Sequence, residues 1–191
     1  MNNHLSTYEK SKLGFWIYLM TDCVLFATLF ASFVVLRSNT YGGPSGAELF
    51  SLKFVLGETI ILLTSSLTSG LAMVSLRREQ SSWVRIWLIV TAILGALFLG
   101  MEIYEFVNLS QEGFGWQRSA FLSAFYTLVG THGLHISLGL VWLITMLVRI
   151  KRQGLSAQVN HQVNLFGIFW HFLDIIWIFI FTVVYLFGVN S

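Results

Sequence analysis

Eight acidic and imidazole side chains fall inside long apolar stretches of this sequence: Asp22, Glu58, Glu102, Glu105, His132, His135, His171 and Asp174. Six of them form pairs three residues apart, Glu102/Glu105, His132/His135 and His171/Asp174. On a helix that spacing puts both members of a pair on one face, so each pair can turn inward together and meet another. Carboxylates and imidazoles in this pattern suit three kinds of chemistry. As neutral or hydrogen-bonded groups they pin helices to one another. Opening onto a cleft, they hold a lipid headgroup or a neighbouring subunit. As ligands or proton carriers they build metal sites and relays, as in helical-bundle di-metal centres with Glu-x-x-His motifs on two helices and two further Glu. No Glu-x-x-His occurs here. His4 and His161 lie in the polar start and in a polar connection, and carry no assigned role.

The elements that hold these groups follow from composition. The chain has 191 residues, of which 55% are hydrophobic and 10% charged. Soluble domains carry about 25% charged residues, so lipid must cover part of this surface. Five segments, approximately 13–36, 54–76, 84–106, 121–148 and 163–188, reach the roughly 20 apolar residues a helix needs to cross a bilayer. None contains proline, and the one proline, Pro44, sits in the turn Tyr41-Gly-Gly-Pro-Ser-Gly46. Backbone groups in lipid must be satisfied within their own segment, which leaves helix as the conformation for such runs. The expected fold is an all-α membrane protein, a single domain over residues 1–191 built as a bundle of five transmembrane helices. The first apolar run exceeds a signal-peptide core of roughly 7–15 residues and reads as a retained anchor.

The basic residues give an orientation. Lys10, Lys12, Arg77, Arg78, Arg85, Arg149, Lys151 and Arg152 fall on one side of the five spans, and Arg37, Lys53 and Arg118 on the other. The positive-inside rule then predicts a cytoplasmic N-terminus and a periplasmic C-terminus. In that frame Glu58, Glu102 and Glu105 form a tier near the outer surface, offset in depth from the histidines. Asp22, His132, His135 and Asp174 lie near the midplane, with His132 and Asp174 placed to bond between the fourth and fifth spans. A charge there costs at least about 2.5–3.5 kcal/mol, which marks these positions as purposeful.

Small residues suggest contact faces: Ser66 and Gly70 on the second span, Gly95, Ala96 and Gly100 on the third, Thr127, Gly130, Thr131 and Gly133 on the fourth. Trp16, Trp83, Trp87, Trp116, Trp142 and Trp170 are expected as interfacial anchors, and Trp177 as a packing residue. The single cysteine, Cys23, precludes an intrachain disulfide, and no zinc spacing occurs.

Several strings, taken in order, are specific. They are Gly14-Phe-Trp-Ile-Tyr-Leu-Met-Thr-Asp-Cys-Val-Leu-Phe26, Gly42-Gly-Pro44, Glu58-Thr59 and Gly100-Met-Glu-Ile-Tyr-Glu-Phe106. Phe121-Leu-Ser-Ala-Phe125, Gly130-Thr-His-Gly-Leu-His135, Trp170-His-Phe-Leu-Asp-Ile-Ile-Trp177 and Thr182-Val-Val-Tyr-Leu186 follow. Together they resemble subunit III of bacterial haem-copper oxidases along essentially the whole chain, and within that family the bo-type ubiquinol oxidase branch, whose five spans match. The resemblance implies a subunit of a proton-pumping oxidoreductase in the bacterial inner membrane that passes electrons from quinol to oxygen. It implies no catalytic, cofactor or metal-binding residue in this chain. Haems and copper are expected in subunit I, the main contact, with subunits II and IV in the same complex. Bound phospholipid is expected in a cleft between helices, and support of assembly and sustained turnover is the implied role. The eight ionisable residues are then interhelical, lipid or partner contacts. A cytochrome c oxidase subunit III, an autonomous proton or ion transporter and a membrane di-metal oxidoreductase are the competing functions. Unbroken, non-repeating spans speak against the transporter.

Overall fold

The computed structural model describes residues 7–37 and 52–186. The turn around Pro44, His4 and the last two residues of the fifth expected span lie outside the described residues. Five helices follow one another: α1 (Thr7–Leu36), α2 (Leu52–Arg77), α3 (Ser81–Gln111), α4 (Ala120–Gln153) and α5 (Ala157–Ile180), the last continuing as a π-helical stretch, Phe181–Leu186. All five are long and apolar enough to cross a membrane. The helices outrun the apolar spans because hydropathy marks only the part that crosses hydrocarbon, whereas a helix runs on until something caps it. His161, expected in a connection, therefore belongs to the first turns of α5.

The caps are legible in the residues. Ser119 accepts a hydrogen bond from the Leu122 amide at 3.1 Å, and Ser156 from the Val159 amide at 3.3 Å, each satisfying a first-turn donor. At the end of α3, the Gly113 amide donates to Ser110 O and the Phe114 amide to Leu109 O, a Schellman closure with Gly113 at φ +82°. The α2–α3 turn uses the same closure, with Glu79 donating to Leu76 O and Gln80 to Ser75 O. Here the left-handed position, φ +57°, holds Glu79, which bears a steric cost that glycine avoids.

Packing separates the helices into a ring and an appendage. α2 packs on α3, α3 on α4, α4 on α5, and α5 back on α2. α1 leans on α4 and α5. It is accordingly the least covered span, with 22% of its most apolar window buried against 50% for α5. Large exposed apolar residues such as Met20, Leu67, Ile93 and Val141 stud every helix, as expected where lipid or a neighbouring chain replaces water.

Trp170 sits at the centre of the ring. It is fully buried, and its ring fills notches left by two glycines. A Cβ on Gly95 of α3 would lie 2.8 Å from Trp170 Cζ2, and one on Gly139 of α4 would lie 3.0 Å from Cζ3. Trp170 is therefore a core wedge and not the interfacial anchor expected from its sequence position; its neighbours on three helices leave it no route to the surface. Trp16, Trp83 and Trp116 are exposed, whereas Trp142 is half-buried against Phe15, Phe166 and Phe169. Trp177 is buried, as expected. The small-residue faces divide likewise. Gly95 and Gly133 meet neighbouring side chains, while Gly70 and Gly100 face open space within this chain.

Candidate functional site

Two sets of polar side chains occupy the bundle interior. The first stands at the end that holds the start of α2, the end of α3 and the π-helical stretch. Glu58 is fully buried, and neither carboxylate oxygen has a hydrogen-bond partner. Glu102 is buried with Oε2 unpartnered. The Tyr185 hydroxyl donates to Glu105 Oε2 at 2.9 Å. All three carboxylates lie within electrostatic reach of one another and of Tyr185. Three charges so close in a low-dielectric interior would repel strongly. The π-helical stretch matters to this geometry, since its wider turn carries Tyr185, fully buried, to Glu105.

The second set lies midway along the helices. His135 Nδ1 is 2.8 Å from Thr131 O, one turn back on α4. A carbonyl only accepts, so Nδ1 carries the proton and donates. His135 Nε2 then faces Asp22 Oδ2 of α1 at 3.5 Å, and that contact needs one shared proton, on the acid or on the imidazole. By the same reasoning His132 donates from Nε2 to Leu173 O of α5 at 3.3 Å. Its ring is wrapped by Trp177, 5.1 Å between centroids at 33°, and by Phe98, 5.8 Å and edge-on. His171 Nδ1 lies 2.6 Å from Ser66 Oγ of α2 and 3.7 Å from Asp174 Oδ2. Asp174 is buried, and neither of its oxygens has a hydrogen-bond partner.

The eight expected residues fall into these two sets, but not in the expected pairs. His132 and His135 do not act together: one meets α5 and the other α1. His132 bonds the Leu173 carbonyl and not Asp174, because a buried imidazole N–H finds the main-chain acceptor within reach while the Asp174 side chain turns toward His171 and Ser66. The depth offset between Glu102 and the histidines is also smaller than expected. The Glu102 carboxylate rests against Gly133, between His132 and His135, where a Cβ would lie 2.5 Å from Oε1. Only glycine at position 133 leaves the acid that space.

A third, hydroxyl-based seam was not singled out by the sequence. Trp170 Nε1 donates to Ser65 Oγ at 3.1 Å, and Ser65 Oγ donates to Thr91 O at 3.3 Å. Thr68 Oγ1 and Thr91 Oγ1 are 2.8 Å apart. Trp177 Nε1 donates to Thr59 Oγ1 at 3.0 Å. The available signal was the run Thr64-Ser-Ser-Leu-Thr-Ser69, whose density of hydroxyls exceeds what small-residue packing needs. Among the described residues, no three His, Cys, Asp or Glu side chains converge on a common point.

Comparison with known proteins places this geometry. Residues 2–189 match the family described as cytochrome c oxidase subunit III. The chain is 57% identical to cytochrome bo(3) ubiquinol oxidase subunit 3 of Pseudomonas aeruginosa, across 92% of this chain and 84% of the relative. It is 51% identical to the protein of the same name from Pseudomonas putida, across 95% and 87%. Cytochrome c oxidase subunit 3 of Bacillus sp. (strain PS3) is 47% identical across 92% and 85%. With five membrane-crossing helices and a match along almost its whole length, the chain belongs to the cytochrome c oxidase subunit III family.

Proposed function

We propose that this chain is subunit III of a bacterial respiratory quinol oxidase, an integral subunit that supports a redox subunit without holding a redox centre. The reading is carried by where the imidazoles point. A copper centre or a bis-histidine haem would need two or three of them aimed at one centre. His132 is directed at the Leu173 carbonyl, His135 at Asp22, and His171 at Ser66, three different helices. That donor set does not fit a copper centre or a bis-histidine haem, and no chemical step is routed through either. The acids and imidazoles instead tie α1 to α4, α4 to α5 and α5 to α2. Haems and copper then belong to subunit I, with subunits II and IV in the same assembly and phospholipid between helices. The orientation places the N-terminus in the cytoplasm and the C-terminus in the periplasm. Quinol as electron donor is supported by the names of the two Pseudomonas relatives. A cytochrome c oxidase role is the second reading, favoured by the Bacillus relative.

The test is to purify the tagged full chain from its native membrane. A haem-bearing assembly that oxidises quinol should come with it. Oxidation of reduced cytochrome c in place of quinol would select the second reading. A chain that purifies alone, from a strain whose respiration survives deletion, would overturn both. So would haem, copper or iron retained by the chain after dissociation from its partners.

A further inference from the structure

Glu58 of α2 lies within electrostatic reach of Glu102 and Glu105 of α3, is fully buried, and has no hydrogen-bond partner on either oxygen. Glu102 adds a third buried oxygen without a partner, Oε2, while its Oε1 rests against Gly133. Glu105 is half-buried and accepts from the Tyr185 hydroxyl at 2.9 Å. Among the described residues, no basic side chain pairs with these acids. Arg37 and Lys53 are exposed, and Arg118 donates to the Gly113 carbonyl at 3.2 Å with its guanidinium over the Phe114 ring. Three carboxylates from two helices thus face one another with no counter-charge from these basic groups. Their oxygens form a donor set suited to a hard cation.

Depth gives such an ion a way in. Counted from the ends of the apolar runs, Glu58 lies about 6 Å inside position 54 and Glu102 about 6 Å inside position 106. Glu105 stands next to that boundary. An ion from the headgroup region reaches it without crossing the hydrocarbon.

The arrangement also selects among cations. Ca²⁺ takes roughly six to eight oxygens at about 2.3–2.6 Å, which demands ligands that converge. Among the described residues, no three acidic, imidazole or thiol side chains do so. Mg²⁺ gives up water reluctantly, so carboxylates about 4–5 Å from the metal hold it through its water shell. That shell is made of donors, and the oxygens of Glu58 and Glu102 are acceptors.

We infer that Glu58, Glu102 and Glu105 hold one hydrated divalent cation of the Mg²⁺ class through its water shell. The cation supplies the counter-charge at this end of the bundle and ties α2 to α3. It takes part in no redox step. The inference goes beyond the oxidase reading and departs from the expectation that no residue of this chain binds a metal.

The test uses the full chain purified from its native membrane with whatever accompanies it. The sample is stripped with chelator and titrated with Mn²⁺, which stands in for Mg²⁺ and is read by electron paramagnetic resonance. Wild type is expected to bind one more Mn²⁺ per chain than Glu58→Gln. Hexaamminecobalt(III), whose ligand shell does not exchange, is expected to displace that ion. Glu105→Gln keeps an acceptor for Tyr185, and should weaken binding about ten- to a hundredfold; it carries the comparison if Glu58→Gln fails to assemble. With chelator present Glu58 has no counter-charge to lose, so only the added cation separates wild type from variant. Equal Mn²⁺ content in wild type and assembled variants overturns the inference. So does a difference ion that hexaamminecobalt(III) leaves in place, because that ion would touch the carboxylates directly. Purification without a haem-bearing partner would remove the oxidase reading and leave this readout standing.

Discussion

At one end of the α2–α3 pair, Thr68 and Thr91 share a hydrogen bond, Ser65 bonds the Thr91 carbonyl, and Trp170 donates into the same seam. At the other end, Glu58 is just as deeply buried, yet both its oxygens lack hydrogen bonds, and Glu102 and Glu105 stand beside it. The same two helices therefore carry two kinds of polar interior. Hydroxyls are donors and acceptors at once and rotate to suit, and an indole N–H adds a donor, so a few of them close a network. Carboxylates bring only acceptors until they are protonated, so three together stay partly unsatisfied. The hydroxyl end secures the fold. The carboxylate end strains against it and is held by packing around it and by Tyr185.

That contrast can be broken most forcefully at the hydroxyl end. Replacing Trp170 with Ala empties the slot between Gly95 and Gly139 and removes the Ser65 bond; about 3–5 kcal/mol should be lost, read from denaturant titration of the detergent-solubilised chain. Gly95→Leu drives a side chain into the indole from the opposite side, and overpacking should cost about 1–3 kcal/mol in the same measurement. Thr59→Val, which strips the acceptor from Trp177 Nε1, should cost about 0.6 kcal/mol, near the mean for a membrane hydrogen bond. The carboxylate end should respond least. Glu58→Met, close in volume and without unsatisfied oxygens, should leave stability within about 0.5 kcal/mol or raise it. A loss above 2 kcal/mol on Glu58→Met would mean that this acid has a partner as firm as those of the hydroxyl seam, and the distinction between the two ends would go.

Much of the fold was legible before any coordinates. Apolar length gave five helices because lipid allows no other conformation for such runs. Family membership followed from strings such as Gly130-Thr-His-Gly-Leu-His135, where residue identity and spacing are enough. Trp170 and the Glu79 turn were not legible, since a tryptophan near a span end and a glutamate in a polar connection have commonplace roles elsewhere.

The sequence by itself determined which residues are expensive to keep in a membrane: Asp22, the three glutamates, the paired histidines and Asp174 are conspicuous against an apolar background, and helical period puts the pairs on common faces. Only the tertiary structure decided what each one meets. His132 took a main-chain carbonyl, His135 crossed to α1, Glu102 settled on Gly133, and His171 was left facing outward. A spacing of three or four residues fixes direction around one helix axis, but a partner depends on how five axes tilt and slide against each other, which no single helix's spacing encodes.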